Sequence, residues 1–413
     1  MSARGYRVLL RDPRAGRLLS GLGVCSLGDG MSTVTIAWLA VRTAPSGQVG
    51  LFVGLAVSAY ALPGAVGALV LGSYLRHRAA RSLVLANCLL RAGFLGAVVV
   101  LVVIGALSPV AYIALLAGSS LLTSWGSAGQ YTMLAQVGGE NGRLAANSLA
   151  SAQVSLATIV GPAIAGLLLA RTAPAWLLAV DAATFAFLGA QAWRTRIDRP
   201  ANERSVDGGA AESGFRLLRR NDLLGLIALT WLFFFLYGPV EDALPVYVGH
   251  DLHADAALLG AYWASFGVGA LISTLLVGAL GRPASRRVIL AIVLGWGACL
   301  VPFAFAPAAV TLVCFALGGL VYGPFIPLTY ALFQAITTTA NLPSVLAARN
   351  AMLVFAAPLG MALGGPVVAG LGAGRTLAAS GAATVLLAAV ATVCWRPSPR
   401  SGVARWRPVL DAR

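Results

Sequence analysis

Lysine is absent from this 413-residue chain, and charged residues of any kind make up only 10% of it. A soluble globular protein carries about 25% charged residues. Hydrophobic residues make up 59% of the chain, and the mean hydropathy is +0.84. A soluble domain cannot bury that much apolar surface. The composition therefore argues against a soluble enzyme, a nucleic-acid-binding protein and a secreted disulfide-stapled module, and it predicts a chain whose main solvent is lipid.

Residues and motifs for metal, cofactor or ATP chemistry are also scarce. The five cysteines lie scattered in apolar runs without a CxxC pair, which indicates neither a zinc site nor a disulfide framework. The His250–Asp255 segment superficially resembles a metal site, but we expect Asp255 to cap the next helix. The phosphate-binding loop GxxxxGK[ST] needs the missing lysine, so ATP-driven transport by this chain is excluded. We predict no metal, no cofactor and no partner nucleic acid.

Long apolar runs, separated by arginines, prolines and polar turns, are the main feature that is present. A helix crosses the bilayer with about 20 such residues, and lipid leaves a non-barrel chain no alternative to helices. We predict an all-α membrane protein with twelve transmembrane helices. The predicted spans are 18–41, 49–75, 83–107, 110–134, 144–170, 175–193, 223–248, 256–280, 288–306, 309–331, 345–371 and 376–395.

The arginines predict the orientation. If the N-terminus is cytoplasmic, only Arg42, Arg171 and Arg375 fall outside, whereas the other basic clusters fall inside. That asymmetry follows the positive-inside rule. We therefore predict a multi-pass cell-membrane protein with both termini in the cytoplasm, without a cleaved signal peptide.

A repeat divides the chain into two halves. The fifth span carries GPAIAG from Gly161 to Gly166, and the eleventh carries GPVVAG from Gly365 to Gly370. The longest polar segment lies between the halves. The predicted organisation is an N-terminal segment (1–17), a six-helix bundle (18–193), a linker (194–222), a second six-helix bundle (223–395) and a tail (396–413). Duplications of this kind build parallel-repeat transporters.

The repeated GPxxAG segments also suggest a mechanical role. Their glycines offer small faces for close helix packing, and each proline removes a backbone hydrogen bond. We expect Pro162 and Pro366 to mark paired bends; the alternative is that the segments are only packing notches.

Acidic residues inside predicted spans are functional candidates, because an ionised group in hydrocarbon costs about 2.5–3.5 kcal/mol on insertion scales. Asp29 lies near the predicted midplane between two glycines and is the proton-coupling candidate; its alternative is a structural hydrogen bond. Asp181 is either a charge partner or architectural. Glu241 and Asp242, between two prolines, either attract a cationic substrate or a proton, or form a solvated outer rim.

Two arginines are the corresponding basic candidates. Arg91 in the third span is deep enough to act as a charge partner or to bind an anionic substrate, yet shallow enough to extend towards the surface. Arg349 near the inner end of the eleventh span has the same ambiguity.

Several ordered segments resemble the major facilitator superfamily, and within it the drug:proton antiporter branch that includes macrolide and siderophore exporters such as those of enterobactin. They are ANSLASAQVSLATIVGPAIAGLLLA (146–170), AWLLAVDAATFAF (175–187), NCLLRAGFL (87–95), GFRLLRRNDLLGL (214–226) and ALPVYV (243–248). The resemblance covers nearly the whole chain. It implies two pseudo-symmetric six-helix bundles around a central cavity.

One loop departs from the family pattern. Members usually carry a Gly-rich loop with an Asp-Arg pair after the second span, whereas GSYLRHRAAR (72–81) has Arg76 and His77 there. The candidate cytoplasmic gate loop is therefore Gly72, Arg76 and Arg81, without the family role assigned to Arg76.

The resemblance implies a proton-coupled exporter of a small amphipathic molecule, working as a monomer by rocker-switch alternating access. An importer of the same fold is one alternative. A membrane-embedded enzyme, such as a lipid acyltransferase or an intramembrane protease, is another, but the sequence has no HExxH or GxSxG motif and no histidine within a predicted span.

Overall fold

The computed structural model describes residues 12–45, 47–75, 78–195, 216–217, 221–280, 285–337 and 341–394, and this part of the chain is helical without a strand. The helices are Pro13–Thr43, Val49–Val70, Gly72–Leu75, Ala80–Val103, Pro109–Ser120, Thr123–Leu169, Pro174–Arg194, Asn221–Val246, Ala256–Leu280, Arg286–Leu300, Ala308–Tyr322, Phe325–Ile336, Leu342–Leu353, Ala356–Leu371 and Ala373–Cys394. Residues 1–11, 196–215, 218–220 and 395–413 of the predicted terminal and linker segments, and Arg76, lie outside the described residues.

These helices form twelve stretches long and apolar enough to cross a membrane, which confirms the predicted fold class. The structure adds interruptions that the apolar pattern does not show. The fourth span breaks between Ser120 and Thr123, and the tenth breaks at the corresponding place, between Tyr322 and Phe325. In the tenth span Pro324 explains the break, because proline cannot donate a helical hydrogen bond.

The two halves repeat the same packing. The first span packs against the fifth and sixth, and the seventh packs against the eleventh and twelfth. In each half an arginine binds the end of the last helix. In the first half, Arg81 donates to the carbonyl oxygens of Ala192 and Trp193 at 3.3 and 2.6 Å. Arg286 donates to those of Ala391 and Thr392 at 2.8 and 3.2 Å. Each arginine satisfies carbonyls that a helix end leaves without partners.

We name the two ends of the bundle by the chain. The proximal end is where the first helix begins at Pro13 and the last ends at Cys394; the distal end is opposite. Among the described glycines, those on which a Cβ would contact the other half all lie in the distal part: Gly50, Gly54, Gly166, Gly249, Gly260 and Gly365. The halves therefore meet closely at the distal end.

Candidate functional site

An ion pair lies at the centre of the first half. Arg91 Nη1 donates to Asp29 Oδ1 at 2.5 Å and to the hydroxyl of Tyr60 at 2.6 Å. The Tyr60 hydroxyl in turn donates to the same Asp29 oxygen at 2.5 Å. The three side chains thus form a closed triangle of charge-assisted hydrogen bonds, which are the strong ones in proteins.

Arg91 has further partners besides Asp29 and Tyr60. Its Nη2 donates to the Thr123 hydroxyl at 3.0 Å, and its guanidinium carbon lies 4.7 Å from the ring centroid of Tyr60 and 4.8 Å from that of Phe185. Thr123 is the first residue after the break in the fourth span. Such contacts over ring faces stabilise a cation that has left water.

The depth of Arg91 differs from the sequence interpretation. Its helix begins at Ala80, before the predicted Leu83, so that Arg91 lies at the midpoint of Ala80–Val103. The residue is 2% exposed and does not extend towards the surface. In the structure Arg91 is paired with Asp29, and its part in transport or substrate binding stays a prediction.

Asp29 is the accessible member of the triangle. It lies beside the midpoint of the 31-residue helix Pro13–Thr43, and 43% of its side chain is exposed. Part of this carboxylate can therefore contact water while Arg91 stays buried. A second ligand with a positive charge would compete with Arg91 for the same oxygens.

Asp181 lies against the same helix but is fully buried. Its Oδ2 accepts from the Ser32 hydroxyl at 2.6 Å, and its Oδ1 accepts from the Thr184 hydroxyl at 3.2 Å. A Cβ on Gly28 would lie 2.6 Å from Oδ1, so only glycine leaves room for this carboxyl. These contacts favour the architectural alternative for Asp181.

Arg349 in the second half has an aromatic environment. It is 3% exposed, its guanidinium carbon lies 4.0 Å from the ring centroid of Tyr330 and 5.4 Å from that of Phe333, and Nη1 donates to Asn350 Oδ1 at 3.0 Å. The Tyr330 hydroxyl donates to the same amide oxygen at 3.1 Å. Both arginines lie over aromatic rings, but among the described contacts Arg349 has an amide oxygen where Arg91 has the carboxylate of Asp29.

Aromatic rings fill the middle of the second half. Tyr322 lies 5.7 Å from Tyr237, 5.4 Å from Phe266 and 5.6 Å from Trp296, measured between ring centroids. Tyr237 and Tyr322 are only part-buried. Part-buried Glu241 follows Tyr237 by one turn of the same helix. Amphipathic rings beside an acid are the usual lining of a pocket for a small organic ligand.

Asp242 does not lie on a solvated rim, as one sequence alternative suggested. The helix Asn221–Val246 continues through both flanking prolines, and Asp242 is 0% exposed. A Cβ on Gly54 in the first half would lie 3.7 Å from its Oδ2, and one on Gly364 would lie 3.3 Å from its Cγ. The carboxyl is therefore enclosed near the distal contact between the halves.

The GPxxAG segments supply part of that contact. A Cβ on Gly365 would lie 3.0 Å from the Cα of Gly54, and a Cβ on Gly166 would overlap Gly260 in the other half. Pro366 lies inside the helix Ala356–Leu371, and Pro162 lies in the part of Thr123–Leu169 that follows a kink at Gly139, where the backbone is not helical. The close packing explains the glycines, whereas the paired bends remain a prediction. Gly161 packs inside its own half, where a Cβ on it would lie 2.7 Å from the Gly30 carbonyl carbon.

The two repeats offer a matched pair of substitutions. Gly166→Ala puts a methyl group into the backbone of Gly260, and overpacking of this kind costs about 1–3 kcal/mol. Gly370 holds the same place in the second repeat, yet a Cβ on it would meet nothing within 4 Å. We expect Gly166→Ala to lower the thermal unfolding midpoint of the purified protein and Gly370→Ala to keep or raise it. Equal effects of the two substitutions would contradict the packing.

The predicted gate loop is only partly described. Gly72 begins the short helix Gly72–Leu75, and Arg76 lies outside the described residues. Arg81 binds carbonyls of its own half. Its contacts support the sixth span and do not connect the loop to the other half.

Tyr60 and Thr123 are the site residues that the sequence does not connect to Asp29. Tyr60 is one of many aromatic residues in the spans, and its partner is not evident from the sequence. Asp29, Tyr60 and Arg91 all lie near the midpoints of consecutive spans. The equal depth of these polar residues in neighbouring spans is the sequence feature from which their contact could have been predicted.

A comparison with protein families matches the chain to the model described as Major Facilitator Superfamily, over residues 18–281 and 243–409. The two matches together cover nearly all of the described residues.

Similar proteins include exporters of two kinds. The multidrug efflux pump Tap of Mycobacterium tuberculosis is 30% identical over 398 residues, which cover 90% of this chain and 89% of Tap. The Tap protein of Mycolicibacterium fortuitum is 29% identical over 88% of this chain and 91% of its own length. The enterobactin exporter EntS of Shigella boydii is 29% identical over 60% of this chain and 59% of EntS.

Solved structures share the fold at low identity. The nucleoside transporter NupG has a TM-score of 0.69 at 15% identity, over 94% of this chain and 100% of NupG. A bacterial homologue of the lysosomal transporter Spinster has a TM-score of 0.68 at 12% identity, over 97% of this chain and all of its own.

Proposed function

The chain belongs to the major facilitator superfamily, and we propose that within this family of membrane transporters it exports a small amphipathic organic molecule in exchange for protons. The export direction is supported by the similarity to Tap and EntS, which are named as exporters. The energy source in this proposal is the proton gradient, without a cofactor. The working unit is the monomer, because the site lies within one chain.

One observation carries the proton coupling: the half-exposed carboxylate of Asp29 is bonded to the buried cation Arg91 at the centre of the membrane-length helices. Protonation of Asp29 neutralises it and breaks the charge pairing. The affinity of Asp29 for a proton therefore differs between a conformation in which it is paired with Arg91 and one in which the two side chains are apart. Unequal affinity is what allows a ligand to shift a conformational equilibrium.

The substrate class follows from the second half. The part-buried rings of Tyr237 and Tyr322, with Glu241 beside them, favour a ligand that has an apolar body and a polar or cationic group. We infer that the ligand lies between this aromatic cluster and the Asp29 triangle. A proton and a cationic substrate would then alternate at the acidic groups.

The glycine contacts at the distal end support alternating access. The halves are closed there, while Asp29 at mid-depth is half exposed. We propose that the substrate enters from the proximal end and leaves after the halves rock apart distally. Because glycine has no Cβ atom, the two halves contact each other there through backbone atoms. Such surfaces can separate and close again without side chains that interlock.

An accumulation assay tests the function. Cells with and without the protein are exposed to a panel of amphipathic cations, neutral compounds and anions, with and without a protonophore. We expect lower steady-state accumulation of at least the cationic members in cells with the protein, and loss of that difference with the protonophore. Higher accumulation would show an importer, and a difference that survives the protonophore would contradict proton coupling.

The orientation is tested by cysteine labelling. From the arginine asymmetry we propose that the proximal end and the 194–222 segment are cytoplasmic. In a variant without native cysteines, a cysteine at Gly209 should react with an impermeant maleimide only after the cells are permeabilised. A cysteine at Thr172, exposed at the distal end, is the control and should react in intact cells. The reverse pattern would overturn the orientation.

A further inference from the structure

Asp242 is a buried acidic residue, and no described residue bonds to its carboxyl group in a way that would stabilise a negative charge. It is fully buried, and neither Oδ1 nor Oδ2 has a hydrogen-bond partner among the described residues. An ionised carboxylate taken out of water costs several kcal/mol after relaxation, unless a cation or several donors replace the water. A protonated carboxyl avoids most of that cost. In the closed arrangement Asp242 is therefore the neutral acid.

Among the described residues, no cationic side chain bonds to Asp242. The second-span helix Val49–Val70 contains Tyr60 as its only titratable residue, and the helix Ala356–Leu371 contains none. Glu241 precedes Asp242 in the chain and has a charge of the same sign. Among the described contacts, none of the other titratable groups on its own helix or on the packed elements bonds to Asp242. These groups are Tyr237 of the same helix, Arg14, Arg17, Cys25, Asp29 and Arg42 of the first helix, Tyr247, His250 and Asp251 after the seventh, Tyr330 of the tenth, Arg349 of the eleventh, and Arg375 and Cys394 of the twelfth.

The position of Asp242 links its charge to the distal contact. Its carboxyl group lies between Gly364 of its own half and Gly54 of the other half, and Gly54 packs on Gly365. When the halves separate here, Gly54 moves away from Asp242, and the carboxyl group is no longer enclosed on that side. Water that enters can then hydrate the carboxylate.

We propose that Asp242 is a second proton-binding site, which is protonated while the distal contact is closed and ionised when the contact opens. The proton enters and leaves from the distal side, so Asp242 controls closure without carrying a proton across. Its part in a transport cycle rests on the proposed function, whereas its protonation in the closed protein does not.

The direction of the pH effect follows from proton counting. The closed form holds one more proton than the open form, so low pH favours closure and high pH favours opening. For one proton the open-to-closed ratio changes up to about tenfold per pH unit. Asp242→Asn cannot ionise, and we expect it to stay closed at every pH.

Spin-label distances test the coupling. Labels at Gln48 and Arg375, which are both exposed in distal segments of different halves, are placed in a cysteine-free parent that also carries Asp29→Asn, so that the other proposed proton site does not contribute. The separated population is then measured over a pH series without substrate. In the parent protein this population should rise with pH, and in Asp242→Asn and Asp242→Ala it should not. Asp255→Asn is the matched control, because Asp255 is an exposed helix cap at the same end, and it should behave as the parent.

Infrared spectroscopy tests the protonation directly. The parent protein at neutral pH should show a protonated carboxyl band that is missing in Asp242→Asn and present in Asp255→Asn. An unchanged band, or the parent pH response in Asp242→Asn and Asp242→Ala, would overturn the proposal. Both measurements use the purified protein without substrate, so their failure leaves the proposed export untouched. A failure of export likewise leaves these two results valid.

Discussion

Asp29→Asn should abolish uphill export. Asparagine keeps a carbonyl oxygen that can accept from Arg91 and Tyr60, and Arg91 also keeps the Thr123 hydroxyl and two ring faces. Insertion and folding should therefore be largely intact. The amide has no titratable proton, so the two conformations no longer differ in proton affinity at this site. Purified protein in liposomes with a proton gradient should show no uphill substrate movement at any pH, while downhill exchange continues.

Asp12→Asn is the control for this variant. Asp12 caps the beginning of the same helix, with Oδ1 accepting from the Arg14 backbone nitrogen at 2.7 Å. Asparagine is an equally good cap, so the same chemical change outside the site should leave uphill transport at the parent rate. Near-parental uphill transport by Asp29→Asn would reduce Asp29 to a structural hydrogen-bonding group.

Depth along the membrane can be predicted from the sequence, because it depends only on counting residues from a span boundary. This count places Asp29 near the midplane, and the bounds of its helix agree. Arg91 shows how the method fails. Its helix begins at Ala80 in a segment whose arginine and polar residues look like loop, and the three extra residues move Arg91 to the helix midpoint.

Partners across helices could not be predicted, because they depend on the rotation of each helix about its axis. The hydrophobic pattern carries little rotational information in a chain that is apolar on nearly all sides. Tyr60 and Arg91 converge on one oxygen of Asp29 only through the packing of three spans. The enclosure of Asp242 is similar: one sequence alternative was a solvated outer rim, whereas the seventh-span helix continues through both prolines and packs against Gly54 and Gly364.

The breaks in the fourth and tenth spans are also features that the hydrophobic pattern does not predict. Pro324 gives the tenth break a sequence feature, but the fourth span has no proline at the corresponding place. There Ser119 donates to the Leu116 carbonyl at 2.7 Å, and Ser120 donates to the Ala59 carbonyl at 3.1 Å. Hydroxyl groups satisfy backbone oxygens locally, and this allows an interruption that hydropathy does not show.

A double substitution of the ion pair should separate its structural role from its role in transport. Asp29→Leu leaves Arg91, which is 2% exposed, without its carboxylate. Removal of one partner from a buried pair costs about 3–5 kcal/mol. Arg91→Met should cost less, because Asp29 is 43% exposed at its side chain and water can hydrate it. We expect both single variants to unfold at lower temperature than the parent, Asp29→Leu by the larger amount.

The combined variant Asp29→Leu/Arg91→Met should recover most of the lost stability, because apolar replacement of a whole buried pair is often neutral or stabilising. It should nevertheless show no uphill transport, since both the titratable group and its cation are gone. Arg91→Lys keeps the charge but not the guanidinium that bonds to Asp29, Tyr60 and Thr123 together, so we expect folding with much reduced transport. Thermal unfolding and uphill transport in liposomes, measured for the four variants, test these expectations. A double variant as unstable as Asp29→Leu would show that the two charges are not one energetic unit, and a stable double variant that still transports uphill would place the coupling elsewhere.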